Sequence, residues 1–537
     1  MRSLVVLLAA SLLACRPKAG SDPERWMARL EDRDSRVRAE AIRALRKLKA
    51  KQAAPAIAAL LKDPLVEEEA ALGLQDLGGP AQVDALLAAL ETTVGAGSEE
   101  AARAANRTNA RIAEALGSIG DSRAGPSLLR LARATDEGVR MAAVEALGNV
   151  KAKEAVPELS HLIDDPAAPP VLIKRAVDAL GRIGDPAGIP ALARGLVIDR
   201  QGVSFLPESS FALFLIGQPA VDPLIRILQD QDASFSAWAK ENNIAPAGTY
   251  ARVAVVLGDL GDARAIPPLL AKLKYSDPDP VPGTSRLLSN VVRMFAANAL
   301  GRMRAAQAAP AVQALVSTAN AQDEDVTVSA AEALVWMGDR AQARELMKKA
   351  QSGILKLRLT VAQSAALFGE PLLGNDVLNV AMRESKGARQ TCLRQLVELT
   401  MPVADTAQAC DLLATQFGEL SKPLEAARVC ASDSPCWLPK LQDQDPVVRA
   451  RAAYELGRAG AAEAVPALGK AVGEEQVLVR EAATRALDWL VSVPAARPAL
   501  KGLAPRLSAQ LAQEQGKPEY LKSYEELRRL QAKLSRL

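Results

Sequence analysis

The sequence has almost no histidine, few aromatic residues and no marked excess of charge. His161 is the single histidine among 537 residues, and aromatic residues make up 3%. One histidine excludes any metal site built on several of them. The 66 basic and 63 acidic residues give a net charge of +3, without the basic excess typical of nucleic-acid-binding proteins. Because phosphate-binding, nucleophile-elbow and zinc-protease motifs are also absent, we expect no catalytic site, metal, cofactor or nucleic-acid partner.

Long apolar segments are missing too, apart from a short one near the N-terminus. Arg2 precedes an apolar run at residues 4–13 that is too short to span a bilayer. The string from Leu12 to Cys15, LLAC, resembles the lipobox of bacterial lipoproteins. The resemblance implies cleavage before Cys15 and acylation of that cysteine. Because Arg16 rather than aspartate follows, it also implies an outer-membrane location facing the periplasm. An ordinary secretory signal or a short core helix is the alternative.

Most of the chain repeats a unit of two short amphipathic helices, and residues 139–165 show it best. The first half of this segment places apolar residues on one helix face (Val139, Ala142, Ala143, Ala146 and Leu147), and so does the second half (Ala155, Leu159, Leu162 and Ile163). Gly148 and polar residues separate the two faces, which predicts a helical hairpin. Neither helix can bury its apolar face alone, so neighbouring hairpins must stack.

Three features recur in register along the chain. A leucine stands at the position of Leu147 in eleven units: Leu45, Leu74, Leu116, Leu147, Leu180, Leu213, Leu257, Leu300, Leu334, Leu456 and Leu487. Ten residues later there is often a proline, in the first turn of the second helix: Pro55, Pro126, Pro157, Pro190, Pro223, Pro267, Pro310 and Pro466. Seven residues before the leucine, five units have an arginine preceded by valine: Arg38, Arg140, Arg293, Arg449 and Arg480.

These leucine, proline and Val-Arg positions resemble those of HEAT repeats, in particular the short variety found in the phycobilisome-lyase family. The resemblance implies an all-α fold, namely an α-solenoid of about a dozen stacked antiparallel helical hairpins. It implies little about activity, because such a fold is a framework that carries many functions.

Insertions lengthen the repeat at residues 91–106, 232–249 and 276–289, each time between a second helix and the next first helix. We expect them to project from one edge as a candidate binding surface, or to be tolerated surface loops without a role. Eight of the 17 aromatic residues lie between residues 205 and 295. Among them, candidate contacts with another protein or peptide are Phe235, Trp238, Tyr250 and Tyr275. Alternatively, the second insertion folds its aromatic side chains back onto the array.

Four cysteines lie where the repeat pattern decays, and four cysteines in an exported protein suggest two disulfides. Cys392 and Cys410 stand at similar distances on either side of a proline, and Cys430 and Cys436 flank a turn. We therefore predict the pairs Cys392–Cys410 and Cys430–Cys436. Free buried thiols and a four-cysteine metal site are the alternatives.

The chain thus divides into a signal peptide (1–14), a lipid-anchored tether (15–22), repeats with three insertions (23–352), degenerate repeats (353–444), further repeats (445–516) and a terminal helix (517–537). The terminal helix caps the last repeat or receives a partner helix. We predict a non-catalytic module that binds another protein or peptide at the bacterial envelope. A bilin-lyase-like enzyme and a purely structural spacer are the alternatives.

Overall fold

The computed structural model describes residues 22–92, 98–282, 287–316, 324–337, 421–474, 476–517 and 521–537. This part of the chain is helical almost throughout. It forms two compact units, unit 1 up to Ile216 and unit 2 from Gly217 onward. Within each unit, successive helical hairpins stack on one another. The predicted all-α solenoid is therefore confirmed.

First and second helices alternate along unit 1. Its helices are α1 (Pro23–Ala28), α2 (Ser35–Lys47), α3 (Ala54–Ala59), α4 (Glu67–Leu77), α5 (Val83–Thr92), α6 (Glu99–Ile119), α7 (Gly125–Leu131), α8 (Glu137–Asn149), α9 (Val156–Asp164), α10 (Pro170–Ile183), α11 (Ile189–Gly195) and α12 (Leu206–Ile216). From α2 onward, even-numbered helices are first helices and odd-numbered ones are second helices. Each first helix contacts the next first helix, so these helices form one layer of the unit.

Unit 2 continues the same alternation. Its described helices are α13 (Val221–Leu228), α14 (Ala233–Glu241), α15 (Pro246–Leu260), α16 (Ile266–Lys272), α17 (Leu288–Arg302), α18 (Ala309–Gln313), α19 (Glu324–Met337), α20 (Ser421–Cys430), α21 (Ser434–Lys440), α22 (Pro446–Ala459), α23 (Val465–Ala471), α24 (Val477–Leu490), α25 (Arg497–Glu514) and α26 (Leu521–Leu534). The first helices here are α15, α17, α19, α22 and α24. The terminal helix α26 packs against α24 and α25 through Leu527, Leu530 and Leu534, which are buried.

The periodic residues have the positions that the sequence predicts. All eleven repeat leucines are at most 1% exposed. Seven of the eight prolines occupy the second position of a second helix, where a missing N–H costs no hydrogen bond. Pro223 is the exception, as the third residue of α13.

Small residues set the spacing between first helices. In six units a glycine follows the repeat leucine, and it packs against the alanine before the repeat leucine of the next hairpin. A Cβ added to Gly148 would lie 2.7 Å from the Cα of Ala179, and one added to Gly301 would lie 2.7 Å from the Cα of Ala333. Real Cβ atoms do not approach backbone so closely, so only glycine permits this packing.

The arginine of the Val-Arg pair joins neighbouring elements. Arg38 donates to the carbonyl oxygens of Asp32 and Arg33 and pairs with the carboxylate of Asp63, at 2.5 Å. In unit 2, Arg449 makes the same set of contacts, to the carbonyls of residues 443 and 444 and, at 3.0 Å, to the carboxylate of Glu474. In these two units the arginine therefore satisfies carbonyl groups of the turn before its own helix.

One small element was missed by the sequence analysis. Asp199–Arg200 and Val203–Ser204 form a two-stranded antiparallel hairpin. Gln201 and Gly202 form its tip, with φ values of 52° and 76°. Positive φ at both central residues is typical of the tight turns that suit hairpins, so this short addition leaves the helical architecture unchanged.

The three insertions take different forms. The first contributes the start of α6, which begins at Glu99. The second folds into the short helix α14, and the third contains an isolated bridge between Pro280 and Leu287. Within the described residues, no single helix is long and apolar enough to cross a membrane, and one bent pair of short helices reaches that length and hydropathy only together.

Candidate functional site

A groove of about 540 Å³ crosses the first helices α4, α6, α8 and α10 of unit 1. Residues from four consecutive hairpins line it, so no single repeat could form it. The groove has a floor of small residues and walls of long charged side chains.

The floor follows from the close packing of the first helices. It is lined by Ala110, Gly117, Gly138, Ala142 and Ala146. A Cβ added to Gly117 would lie 2.9 Å from both the Cα and the Cβ of Ala146, so α6 and α8 touch through their backbones here. Because no long side chain rises from this contact, a depression remains between the charged residues on either side.

The wall between α4 and α6 is a loose network of ion pairs. Glu68 lies 3.5 Å from Nε of Arg107 and 3.9 Å from Nε of Arg111. Arg111 also pairs with Glu114 at 2.9 Å. The side chains of Arg107 and Arg111 are 61% and 40% exposed. One carboxylate is thus shared between two guanidinium groups that both face solvent.

The opposite wall joins α8 and α10. Glu145 forms an ion pair with Arg175, and the side-chain oxygen of Asn149 accepts a hydrogen bond from Arg182 at 2.6 Å. The groove therefore contains three guanidinium groups and three carboxylates, and their charges cancel. Exposed pairs of this kind contribute only about 0–1 kcal/mol each, so they can exchange partners at small cost.

The predicted contacts in the second insertion lie elsewhere, in unit 2. Phe235 is only 8% exposed, and its ring centroid is 5.5 Å from that of Trp238, which is partly buried. The amide of Phe235 donates to Asp232, which caps α14. Phe235 thus fits the alternative prediction, in which the second insertion folds its aromatic side chains back onto the array. The burial of Phe235 argues against a contact role.

Tyr250 and Tyr275 belong to a closed cluster. Tyr250 is 5% exposed, and its hydroxyl donates to Asp230 at 2.5 Å. The two rings meet edge to face with centroids 5.4 Å apart, and the ammonium of Lys272 lies 3.2 Å from the ring centroid of Tyr250. The hydroxyl of Tyr275 donates to Asp277. Tyr250 is a first-helix residue that faces inward, and its burial argues against a contact role.

Burial and neighbouring carboxylates shift the ionisation of this cluster. Burial, together with the hydrogen bond to Asp230, holds the pKa of Tyr250 well above its usual value. Burial and the hydrogen bond to Asp277 raise the pKa of Tyr275 to about 12. Burial lowers the pKa of Lys272, and the negative charge of Asp230 partly offsets that effect. These shifts follow from internal packing and do not require a ligand.

Of the predicted cysteine sites, only one lies in the described part of the chain. Cys430 and Cys436 form a disulfide with Cα atoms 5.3 Å apart. It closes the turn between α20 and α21, where the indole of Trp437 also donates to the carbonyl of Ala431 at 2.9 Å. Cys15, Cys392 and Cys410 lie outside the described residues.

In the described ranges, the single histidine of the chain does not line the groove. His161 is exposed on α9. Within the same ranges, no group of three or more His, Cys, Asp or Glu side chains could hold a metal ion.

Comparison with protein-family models identifies the repeat. A model described as HEAT repeats matches residues 23–106, 100–174 and 434–514, and one described as PBS lyase HEAT-like repeat matches residues 172–197 and 250–275. The chain contains HEAT repeats. The comparison with curated proteins found no match.

Several solved HEAT-like structures are similar at low sequence identity. Importin beta is 11% identical, covers 92% of this chain and 72% of its own, and has a TM-score of 0.45. Kap121p bound to Nup53p is 14% identical, covers 94% and 64%, and has a TM-score of 0.43. The complex of CpcE and CpcF of phycocyanin lyase from Nostoc sp. PCC7120 is 18% identical, covers 55% and 94%, and has a TM-score of 0.23.

The groove was missed because its residues are spread over successive HEAT repeats. Glu68 and Arg175 are more than one hundred positions apart, and no local motif joins them. The sequence nevertheless contains features that indicate the groove. Each glycine after a repeat leucine marks a place where two first helices approach closely, and arginine and glutamate at exposed positions nearby mark the walls.

Proposed function

We propose that this HEAT-repeat chain is a non-catalytic module that binds an extended segment of another protein. The main support for this proposal is the groove of unit 1. It is open along four hairpins, its floor is small and partly apolar, and its walls offer both donors and acceptors. A peptide backbone presents both kinds of group and lies flat on a floor without protruding side chains.

The guanidinium groups are the main expected anchors. Arg107 and Arg111 are exposed and share Glu68, so an incoming carboxylate or carbonyl oxygen can replace that shared partner. Arginine supplies several planar donors and is enriched among residues that dominate binding energy. The carboxylates of Glu114 and Glu145 would face basic side chains or N–H groups of the same segment.

We further propose that the module is held at the bacterial envelope by acyl groups on Cys15. The N-terminal resemblance to a lipobox supports this anchoring. The bond between Cys430 and Cys436 is consistent with it, because disulfides persist mainly in oxidising compartments such as the periplasm.

The test is a crosslinking pull-down from native membranes with matched variants. Arg107→Gln with Arg111→Gln removes two charges from the groove and should weaken recovery of a stoichiometric partner at least about tenfold. The control, Arg130→Gln with Arg133→Gln, removes two exposed charges from α7 and its end, outside the groove, and should leave recovery unchanged. Equal recovery with both variants would contradict the groove. No partner in any sample would favour the structural-spacer alternative.

A further inference from the structure

The first hairpin of unit 1 carries a group of lysines that no carboxylate neutralises. Lys47 is the last residue of α2, Lys49 follows in a left-handed conformation, and Lys51 opens a short 3₁₀ turn. All three are exposed, and none lies within 4 Å of a carboxylate in the described part of the chain. Their charges are therefore available to an external partner.

Neighbouring acidic residues do not cancel this charge. Asp76, in the last turn of α4, is already paired with Arg46 at 2.7 Å. Arg43, one turn before Lys47, is 56% exposed and reaches only Glu69, at 3.7 Å. The end of α2 is thus a basic surface.

The chain enters unit 1 at this same end. α1 packs against α2, and only three residues separate α2 from the 3₁₀ turn Arg29–Glu31 that extends α1, so the two helices run antiparallel. From Pro23 to the turn the helical segment is about 13 Å long and α2 is about 20 Å long, so Pro23 lies about one helical turn short of the end of α2. The chain therefore enters unit 1 close to the lysine surface.

The distance from Cys15 to this surface is short. Eight peptide units join Cys15 to Pro23, so the chain between them spans at most about 28 Å, and it carries Arg16 and Lys18. A lipid anchor at Cys15 would keep Pro23 within that distance of the membrane, and with it the first hairpin of unit 1.

Equivalent turns in unit 1 differ in charge. The next turn, at residues 78–82, has no ionisable residue, and in the one after it Arg123 is paired with Asp121. Lys151 and Lys153 alone repeat the arrangement of Lys49 and Lys51, and Lys151 has the same left-handed backbone, with φ of 55°. They lie three hairpins further along, which makes them a matched internal control.

We propose that Lys47, Lys49 and Lys51 form a second membrane contact, with the phosphate groups of anionic phospholipids. The proposal rests on the proposed anchoring through Cys15. Lysines near an anionic surface are attracted to it, and a basic patch commonly supplements acyl chains. The contact would hold unit 1 by its first hairpin and leave the groove of α4 to α10 away from the lipid.

The test uses the lipidated protein, reconstituted into phosphatidylcholine vesicles with or without phosphatidylglycerol. Acetylation of lysines by a water-soluble reagent is followed by mass spectrometry. Phosphatidylglycerol should slow acetylation of Lys47, Lys49 and Lys51 several-fold, and high salt should remove the effect. Lys151 and Lys153 should react equally in both kinds of vesicle. Equal rates at all five lysines in both vesicles would overturn the proposal.

Charge variants separate this contact from general crowding at the membrane. Lys49→Gln with Lys51→Gln should remove the protection of Lys47, whereas Lys151→Gln with Lys153→Gln should preserve it. Protection that survives the first variant would count against the proposal.

A failure of the anchor is distinguishable from a failure of the lysine contact. If mass spectrometry finds no acyl group on Cys15, the anchoring proposal is wrong. The unacylated protein is then mixed with both kinds of vesicle. Sedimentation with phosphatidylglycerol vesicles only, lost in the Lys49→Gln, Lys51→Gln variant, would still support the lysine contact, and no sedimentation would overturn it.

Discussion

The groove of unit 1 and the tyrosine cluster of unit 2 differ in how fully their polar groups are used within the chain. In the groove, Arg107 is 61% exposed and shares Glu68 with Arg111. In the cluster, Tyr250 is 5% exposed, its hydroxyl is bonded, and Lys272 covers its ring. The first region can exchange internal partners for external ones, and the second cannot do so without unfolding locally.

This difference shows that a region rich in aromatic residues is not necessarily a binding surface. Aromatic residues are rare in this chain and are concentrated in unit 2, which made that region the expected contact surface. In the structure, however, the side chains of Phe235 and Tyr250 are both buried. Small residues, which bury little area themselves, create the open surface of unit 1.

The largest expected effect tests the close helix packing that produces the groove floor. In Gly148→Ala, the new Cβ would lie 2.7 Å from the Cα of Ala179, so α8 and α10 must separate. We expect the free energy of unfolding to fall by about 1–3 kcal/mol, measured by denaturant titration of the circular-dichroism signal.

The matched control is Gly502→Ala. Gly502 lies within α25, and a Cβ added there meets no atom within 4 Å. Alanine favours helix over glycine, so this variant should gain up to about 1 kcal/mol. Equal stability changes in the two variants would show that the first helices are less closely packed than the structure indicates.

The second prediction contrasts the two regions directly. Tyr250→Phe removes the hydrogen bond to Asp230 and should cost about 1 kcal/mol of stability without changing partner recovery. Arg107→Gln should change stability by less than about 0.5 kcal/mol and weaken partner recovery. Denaturant titration and pull-down of both variants measure this. If Tyr250→Phe reduced partner recovery at normal stability, the tyrosine cluster would be supported as a contact site.

The fold was predictable from sequence because its signals are local. A repeat leucine marks each of eleven hairpins, a glycine follows it directly in six of them, and a proline stands ten residues after it in eight. Helical periodicity within a hairpin depends only on neighbouring residues, so Leu147 and Pro157 can be placed without knowledge of the other repeats.

The groove was not predictable, because it depends on contacts between hairpins. Whether Glu68 meets Arg107 is decided by the stacking of α4 on α6, which no spacing within one repeat encodes. The same holds for Phe235, whose inward orientation depends on how α14 lies on its unit. Side-chain direction in an insertion is a tertiary property, and hydrophobicity alone does not reveal it.

The smallest expected effect concerns the pH dependence of the cluster. The pKa of Tyr275 is raised from 10.0 to about 12 in the folded protein, so folding favours its neutral form. Its contribution is fully present below pH 10 and is lost as the pH rises from 10 to about 12. Lys272 has the opposite effect. Burial lowers its pKa, so its charged form destabilises the folded protein, and this destabilisation disappears as Lys272 loses its proton.

Tyr275→Phe should therefore flatten the alkaline loss of stability, whereas Lys272→Met should steepen it, as seen in denaturant midpoints measured across alkaline pH. The exposed groove is lined by no tyrosine and no lysine, so Arg107→Gln should leave the alkaline profile unchanged. Identical profiles for Tyr275→Phe and the unmodified protein would mean that Tyr275 is solvated and that the cluster is as open as the groove.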